Sequence, residues 1–452
     1  MINLNDFKGK LFEAAKQAGF DEYEMYCQNG ATTTVNVFNQ EVSQFTNASS
    51  AGVSFRGKFG GKIGYASSEK VDDSIIQFLV SSAKSNAEIL ETVEDEELYA
   101  GDAIYPDVQR HNEELGSITS EEKIEAALAL EKNTKDTDYR ISAVPYCAVV
   151  NSETEILIAN SKGLDLTRKS NAMYSYAYCQ ATDGAQTKAG GKFFVIEDFS
   201  KFDPADIGSK AARKALSKLG ADSVPGGKYK IVIENEAAGS LLATFFGAFS
   251  AESAQKGFSL LKGKLGTEIA GSAVTIVDDP LIPQALGSTP FDSEGVASYK
   301  KTVVDAGVFK TFLHNTKTAR KDGVKPTGNG IKADYKSSVA IGGTNFFIQP
   351  GKKDIEELFK EAEGGLLITS FAGLHSGANP VSGEFSLQAE GFVIENGKIG
   401  RPVEQITVSG NFFTLLNNVM DVGCDLMFGM PSAIGNIASP SLLVKELDVA
   451  GS

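Results

Sequence analysis

The chain has 452 residues, 43 Lys and Arg against 58 Asp and Glu, and a formal net charge of −15. Its 42% hydrophobic and 22% charged content excludes wholesale disorder, and the length supports two or three domains. The acid excess argues against broad nucleic-acid binding, which needs clustered Lys and Arg, and three histidines with four cysteines leave few ligands for zinc.

The first helix is expected over 5–18, where Phe7, Leu11, Ala14 and Ala18 share a face and Gly19 supplies the C′ position. Residues 32–46 are rich in β-branched and aromatic side chains, and 52–67 alternates apolar residues with glycines as a hairpin does. A helix follows over 73–90, with Ile76, Leu79, Val80 and Ala83 inward. Thr119 and Glu122 form a capping-box pattern ahead of Ile124, Ala127 and Leu128. Acidity concentrates between Glu91 and Glu131, where thirteen Asp and Glu face only Arg110 and Lys123. That run reads as a solvated helix and linker surface; the alternative is a dock for a basic protein.

Residues 141–198 read as successive strands with a turn at 161–163. Asp203 and Pro204 are suited to N-cap and N1 of a helix striped by Ile207, Ala211, Ala215 and Leu219. Residues 221–230 are the expected linker, dividing an N-terminal domain (1–220) from a C-terminal domain (231–452). The second half opens with a strand over 229–235. A helix over 236–250 follows, apolar on all sides and therefore expected to be buried. Turns are expected at Asp305–Gly307 and Asn396–Gly397, and a helix over 354–363. Long β content with scattered helices and no βαβ alternation points to an α+β fold. The first twenty residues lack an apolar signal core, and the apolar patch 241–251 is about half a membrane span, so a soluble cytoplasmic protein is expected.

Motifs for chemistry are sparse. Gly328, Gly330 and Ala333 fit GxGxxA, but no strand pattern precedes them, so a loop is expected. Ser376 next to His375 lacks the strained elbow and third orienting group that a nucleophile pair needs. His111, His314 and His375 lie far apart and are expected on the surface or in local hydrogen bonds. The pairs Asp278–Asp279 and Asp292–Glu294 sit beside prolines and glycines, as turn caps do. Cysteines 27, 147, 179 and 424 form no CxxC, and Cys424 is expected as a small buried apolar side chain. The stretch 373–411 is dense in Gly, Ser and Asn. It is read as a long structured loop or as an edge along which an extended peptide could lie.

The segments GKLGTEIAGSAVTIVDDP (263–280), FDSEGV (291–296) and NPVSGEFSLQAEGFVIENGKIGRPVEQITVSGN (379–411) resemble the TldD/PmbA family of metallopeptidases. FNQEVSQFTNASSAGVSFRGKFGGKIGYAS (38–67) is similar to that family's opening, so the resemblance covers nearly the whole chain. It is closer to the PmbA (TldE) branch. The resemblance implies an N-terminal α/β domain with an antiparallel sheet and a C-terminal barrel-like β domain with surrounding helices. It also implies a cytoplasmic role in peptide maturation or proteolysis. TldD-type members carry His-Glu-x-x-x-His on a helix, and that motif falls here on Ala243, Thr244 and Ala248. Cys424 lies near the family's C-terminal Cys ligand but is flanked differently, which leaves it a weak metal candidate.

The resemblance therefore implies no catalytic residue and no cofactor in this chain. Zinc is expected in a TldD-type partner of a heterodimer, with a homodimer when the chain is alone. An extended peptide is the expected ligand, with His375, Ser376, Asn379, Ser382 and Glu384 as groove candidates; neither nucleic acid nor membrane is expected. Two alternatives stand beside this. One is an autonomous metal-dependent hydrolase with unconventional ligands drawn from His314, His375, Cys424 and nearby carboxylates. The other is a non-enzymatic regulatory protein, since family members are described as gyrase modulators.

Overall fold

In the first half, long runs of β-branched and aromatic residues pair into one antiparallel sheet. The computed structural model describes residues 4–91 and 96–451. The strands are β1 (Glu22–Phe38), β2 (Glu41–Phe59), β3 (Lys62–Ser68), β4 (Ile141–Asn160), β5 (Asp165–Asp183) and β6 (Gln186–Ile196), in the order β3-β2-β1-β4-β5-β6. The hairpin tip Asn39–Gln40 needs positive φ at both residues (53° and 61°). Glu131 holds it, accepting both backbone N–H groups at 2.7 Å. This carboxylate, 4% exposed, is not the solvated residue expected within the acidic run. Glu96 is half-buried and pairs with Lys317, while Glu97 stays exposed, as expected of the run, and pairs with Lys162 and Arg320.

Helices cover one face of the sheet. Leu4–Gln17 and Ile76–Ile89 bury Phe7, Leu11 and Leu79 against Met25 and Phe55. Ser120–Asp136 and Pro204–Leu216 bury Leu130 and Ala211 against Val149 and Met173. Thr119 caps the third of these with the full capping box, and Asp203 with Pro204 starts the fourth. Gly64 is required where the second helix crosses: a Cβ there would sit 1.8 Å from the Ala83 carbonyl oxygen.

In the second half, five strands close on themselves: Lys398–Asn411, Glu384–Glu395, Leu366–Ala372, Gly227–Ile233 and Leu442–Ala450. Closure comes from Thr407–Ser409 pairing with Asp448–Ala450. Asn396 and Gly397 make the expected tight hairpin, with φ of 55° and 65°. A second sheet, containing Ile276–Asp278, Lys301–Asp305 and Asn345–Ile348, packs into the same core. The fold is therefore α+β, with a closed five-stranded barrel in its second half.

The expected helix over 236–250 is three pieces: α-helix Asn235–Phe245, a 3-10 turn Phe246–Phe249, and α-helix Ala251–Lys256. Phe245, Phe246 and Phe249 are all buried, and the tighter turn brings successive rings inward. Nor is the first piece buried all round. Glu236 and Ser240 are exposed, and Ala243 and Thr244 are half-buried. Alanine and glycine read as apolar in a pattern, yet they also suit a helix face that opens on a cleft.

The two halves are joined by a buried ion pair. Arg56 on β2 forks onto Glu24 of β1 at 2.6 and 3.2 Å and lies 3.7 Å from Glu294 of the second half. No helix among the described residues is long and apolar enough to cross a membrane.

Candidate functional site

The helix Asn235–Phe245 runs along a cleft of about 560 Å³. Its floor is Gly239, Ser240 and Ala243, and its walls are Phe371, Phe428, Met430 and Ile437, with Tyr178 and Phe193 from the N-terminal sheet. Gly239 lets the helix pass close to Ala438 and Ser439, where a Cβ would stand 3.4 Å from the Ser439 nitrogen. The cleft's charges are matched. Glu236 pairs with Lys214 and, at 3.5 Å, with Lys192. Lys218 pairs with Glu390 at 2.9 Å. Opposed charges hold the Glu236 carboxyl below its ordinary range despite partial burial. Glu234, just before the helix, has a buried carboxylate oxygen without a hydrogen-bond partner, and burial raises its pKa.

The positions that the resemblance matches to the zinc motif run from the cleft into the core. Ala243 lines the cleft. Thr244 bonds back to the Ser240 carbonyl at 2.9 Å. Ala248 is 1% exposed, in the core beyond the helix end. Methyl groups bind no metal, and a hydroxyl already bonded to its own helix is a poor ligand. Among the described residues no group of three or more His, Cys, Asp or Glu could hold a metal ion. Cys424 is exposed, not buried as expected, because the strand Val419–Val422 has ended before it; its N–H bonds the Lys353 carbonyl at 2.8 Å.

His375, Ser376 and Asn379 sit on an exposed loop with Ser382 half-buried, and Glu384 is the exposed first residue of the strand Glu384–Glu395. They fold on one another. Asn379 accepts from the Val381 and Ser382 N–H groups at 3.0 and 3.2 Å, and Glu384 accepts from Asn411 at 3.0 Å. His314 is buried with Nδ1 unpartnered, and His111 lies 3.3 Å from Glu153. Gly328, Gly330 and Ala333 lie in loop and a two-residue strand.

Two acidic pairs do more than cap turns. Asp278 is fully buried and accepts from Lys301 (2.8 Å), Asn329 (2.8 Å) and Thr344 N–H (2.7 Å). Asp292 caps its turn through the Glu294 and Val296 N–H groups and also binds Gly330 N–H, so it ties two segments together. Burial and the neighbouring Glu294 raise its pKa. Asp279 is a turn cap as expected, accepting from Leu281 N–H at 3.0 Å.

The fold and cleft define a class: an α+β protein whose closed barrel presents one helix to a cleft shared with a curved antiparallel sheet. Models described as PmbA/TldA metallopeptidase domain 1, central domain and C-terminal domain match residues 23–87, 113–219 and 226–451. The chain belongs to the PmbA/TldD metallopeptidase family. A Thermotoga maritima protein described as a candidate modulator of a DNA gyrase is 35% identical, with a TM-score of 0.90 over 99% of this chain and 100% of that one. TldE from Thermococcus kodakarensis has the same fold, with a TM-score of 0.90 at 24% identity over 98% and 100% of the two chains. Among curated relatives, a Methanocaldococcus jannaschii metalloprotease is 26% identical over 93% of this chain and 92% of its own. The metalloprotease PmbA of Escherichia coli O157:H7 is 29% identical over 79% and 75%.

Proposed function

We propose that this chain is a zinc-less, PmbA-like subunit of a cytoplasmic peptidase that acts in peptide maturation or proteolysis. The metal would reside in a TldD-type partner, and this chain would help to enclose an extended peptide. One observation carries the reading. The helix that the resemblance matches to the zinc-motif helix of TldD-type chains lies on an open cleft, with Ala243 and Thr244 along it and Ala248 in the core beyond its end. A cleft without a metal-binding set is suited to holding a substrate that another subunit cuts. The loop 373–384, with His375, Ser376, Asn379, Ser382 and Glu384, belongs to the same proposal as a peptide-contacting edge. Autonomous metal chemistry has less support. His314 is buried, while His375 and Cys424 are exposed on separate segments.

The test is co-expression with a TldD-type chain. The expected product is a heterodimer with a single zinc per pair and peptidase activity that neither chain shows alone. Activity that stays with the rigorously purified single chain would overturn the proposal.

A further inference from the structure

A second cleft, of about 630 Å³, lies between the N-terminal sheet and the second half. It was not foreseen in the sequence, because its basic side chains come from three distant segments: Arg110, Arg168 with Lys169, and Lys332. None of Arg110, Arg168 and Lys332 has an ion pair among the described residues. Arg168 donates to the Thr289 hydroxyl and lies 5.6 Å from the centre of the Phe291 ring. Arg110 donates to the carbonyls of Gln284 (2.9 Å) and Asn171 (3.4 Å). It is 8% exposed, and its Nε has no hydrogen-bond partner. Lys332 donates to Ser54 Oγ at 2.9 Å and lies against the rings of Tyr26 and Tyr65.

Most nearby carboxylates have partners of their own, although the partner of Asp107, which lines the cleft, is a neutral amide, and Glu197 lies near enough to Arg110 to favour its charge. Arg56 holds Glu24 and lies beside Glu294, Asp107 accepts from Gln109, Glu153 faces His111, and Glu155 pairs with Lys169. In a chain of net charge −15, Arg110 and Arg168 are two guanidinium groups without an ion pair among the described residues, and with the Lys332 amine beside them they make this cleft a site for an external anion.

The sheet indicates which anion. In register, Gln28, Ile156 and Arg168 form one row across β1, β4 and β5. Along β5 the side chains on this face run from Arg168 through Ser170, Tyr174 and Tyr176 to Tyr178, while Met173, Ala177 and Cys179 point to the helices. Tyr178 is a wall of the cleft beside the helix Asn235–Phe245. One strand face therefore links the cationic cleft to the cleft of the degenerate motif, over about 34 Å at ~3.4 Å per residue.

We propose that Arg110, Arg168 and Lys332 form an oxyanion subsite that receives the carboxylate end of an extended peptide lying along β5. The assignment rests on the peptide-handling function proposed above and adds the end of the peptide that is read. Guanidinium groups bind carboxylates through paired charge-assisted hydrogen bonds, while the tyrosines offer a face tolerant of peptide sequence.

The experiment is fluorescence anisotropy on the full-length chain. The probes are an N-terminally labelled peptide of about ten residues, matching the strand span, and its C-terminally amidated twin. The free acid should bind about tenfold more tightly, as loss of a charge-assisted pair would give. Arg168→Met should bring the free acid down to the amide's Kd and leave the amide unchanged. Arg168→Lys should restore part of the difference. Equal affinity of acid and amide for the unmutated chain overturns the subsite and needs no variant to fold. So does absence of binding by either peptide. Inorganic phosphate that binds while the two peptides bind alike would make this a free-phosphate site and overturn the peptide assignment. Equal peptide affinities with turnover by the heterodimer intact would leave the subunit function standing. Discrimination by a chain that forms no active pair would leave the subsite standing instead.

Discussion

The two clefts at opposite ends of β5 handle charge differently. Beside the helix Asn235–Phe245 every lysine has its carboxylate: Lys192 and Lys214 share Glu236, and Lys218 takes Glu390. In the other cleft, Arg110, Arg168 and Lys332 rest on carbonyls, hydroxyls and rings. The first surface leaves no lysine without a carboxylate partner and is lined by Phe, Met and Tyr, which suits a sequence-tolerant wall. The second keeps the Arg110 and Arg168 charges available in a partly dry setting, where an arriving anion gains most. Matched charge makes a surface, and unmatched charge makes a binding site.

The largest expected effect tests the structure that keeps these charges apart. Arg56→Met leaves Glu24 and Glu294 buried without their cation. The expected loss is about 3–5 kcal/mol, the usual result of breaking a buried pair from one side. Urea denaturation measures it; a loss under ~1 kcal/mol would show that the carboxylates neutralise themselves by taking up protons.

Next is a test of the metal reading. Ala248→His places an imidazole in a filled core at the end of the 3-10 turn. It is expected to cost about 1–3 kcal/mol by overpacking. The variant carrying Ala243→His, Thr244→Glu and Ala248→His together is expected to hold no stoichiometric zinc by elemental analysis. Zinc bound in that variant would show that only the side chains, and not the helix geometry, separate this cleft from a metal centre.

A third prediction concerns pH. Burial, reinforced by Arg56, lowers the Lys332 pKa from 10.5 to about 7. Between those values the unfolded chain keeps a proton that the folded chain has released. The stability contribution of Lys332 therefore rises with pH across that window and is lowest below pH 7. Lys332→Met should flatten the rise in urea midpoint between pH 7 and 10. An unchanged slope would assign it to other groups.

The smallest effect sharpens the contrast directly. Glu236→Gln releases Lys192 and Lys214 at a half-exposed site, so stability should change by less than about 1 kcal/mol. The balanced cleft should then gain weak, salt-sensitive affinity for inorganic phosphate, detectable by calorimetry. No gain would mean that unmatched charge alone does not create an anion site here.

Local chemistry was readable wherever it acts over a few residues. The capping box at Thr119, the Asp203–Pro204 helix start and the Asn396–Gly397 hairpin each depend on neighbours within one turn. The helix over 236–250 was misread because pattern counts Ala, Gly and Phe alike as apolar. Ring packing broke it after Phe245, and its small residues face a cleft. Cys424 was misread because a lone cysteine's burial depends on where its strand stops. Glu131 was hidden in an acidic run, since its role is to hold a hairpin tip some ninety residues away.

By itself the sequence determined the α+β class and the resemblance to the PmbA/TldD peptidase family. These are properties of residue identity and of spacing along the chain. Only the tertiary structure decided which charges cancel. Arg56 with Glu294, Glu236 with Lys192 and Lys214, and the grouping of Arg110, Arg168 and Lys332 join residues remote in sequence. Coulomb energy depends on distance through space and on burial, and neither is written in the order of the chain.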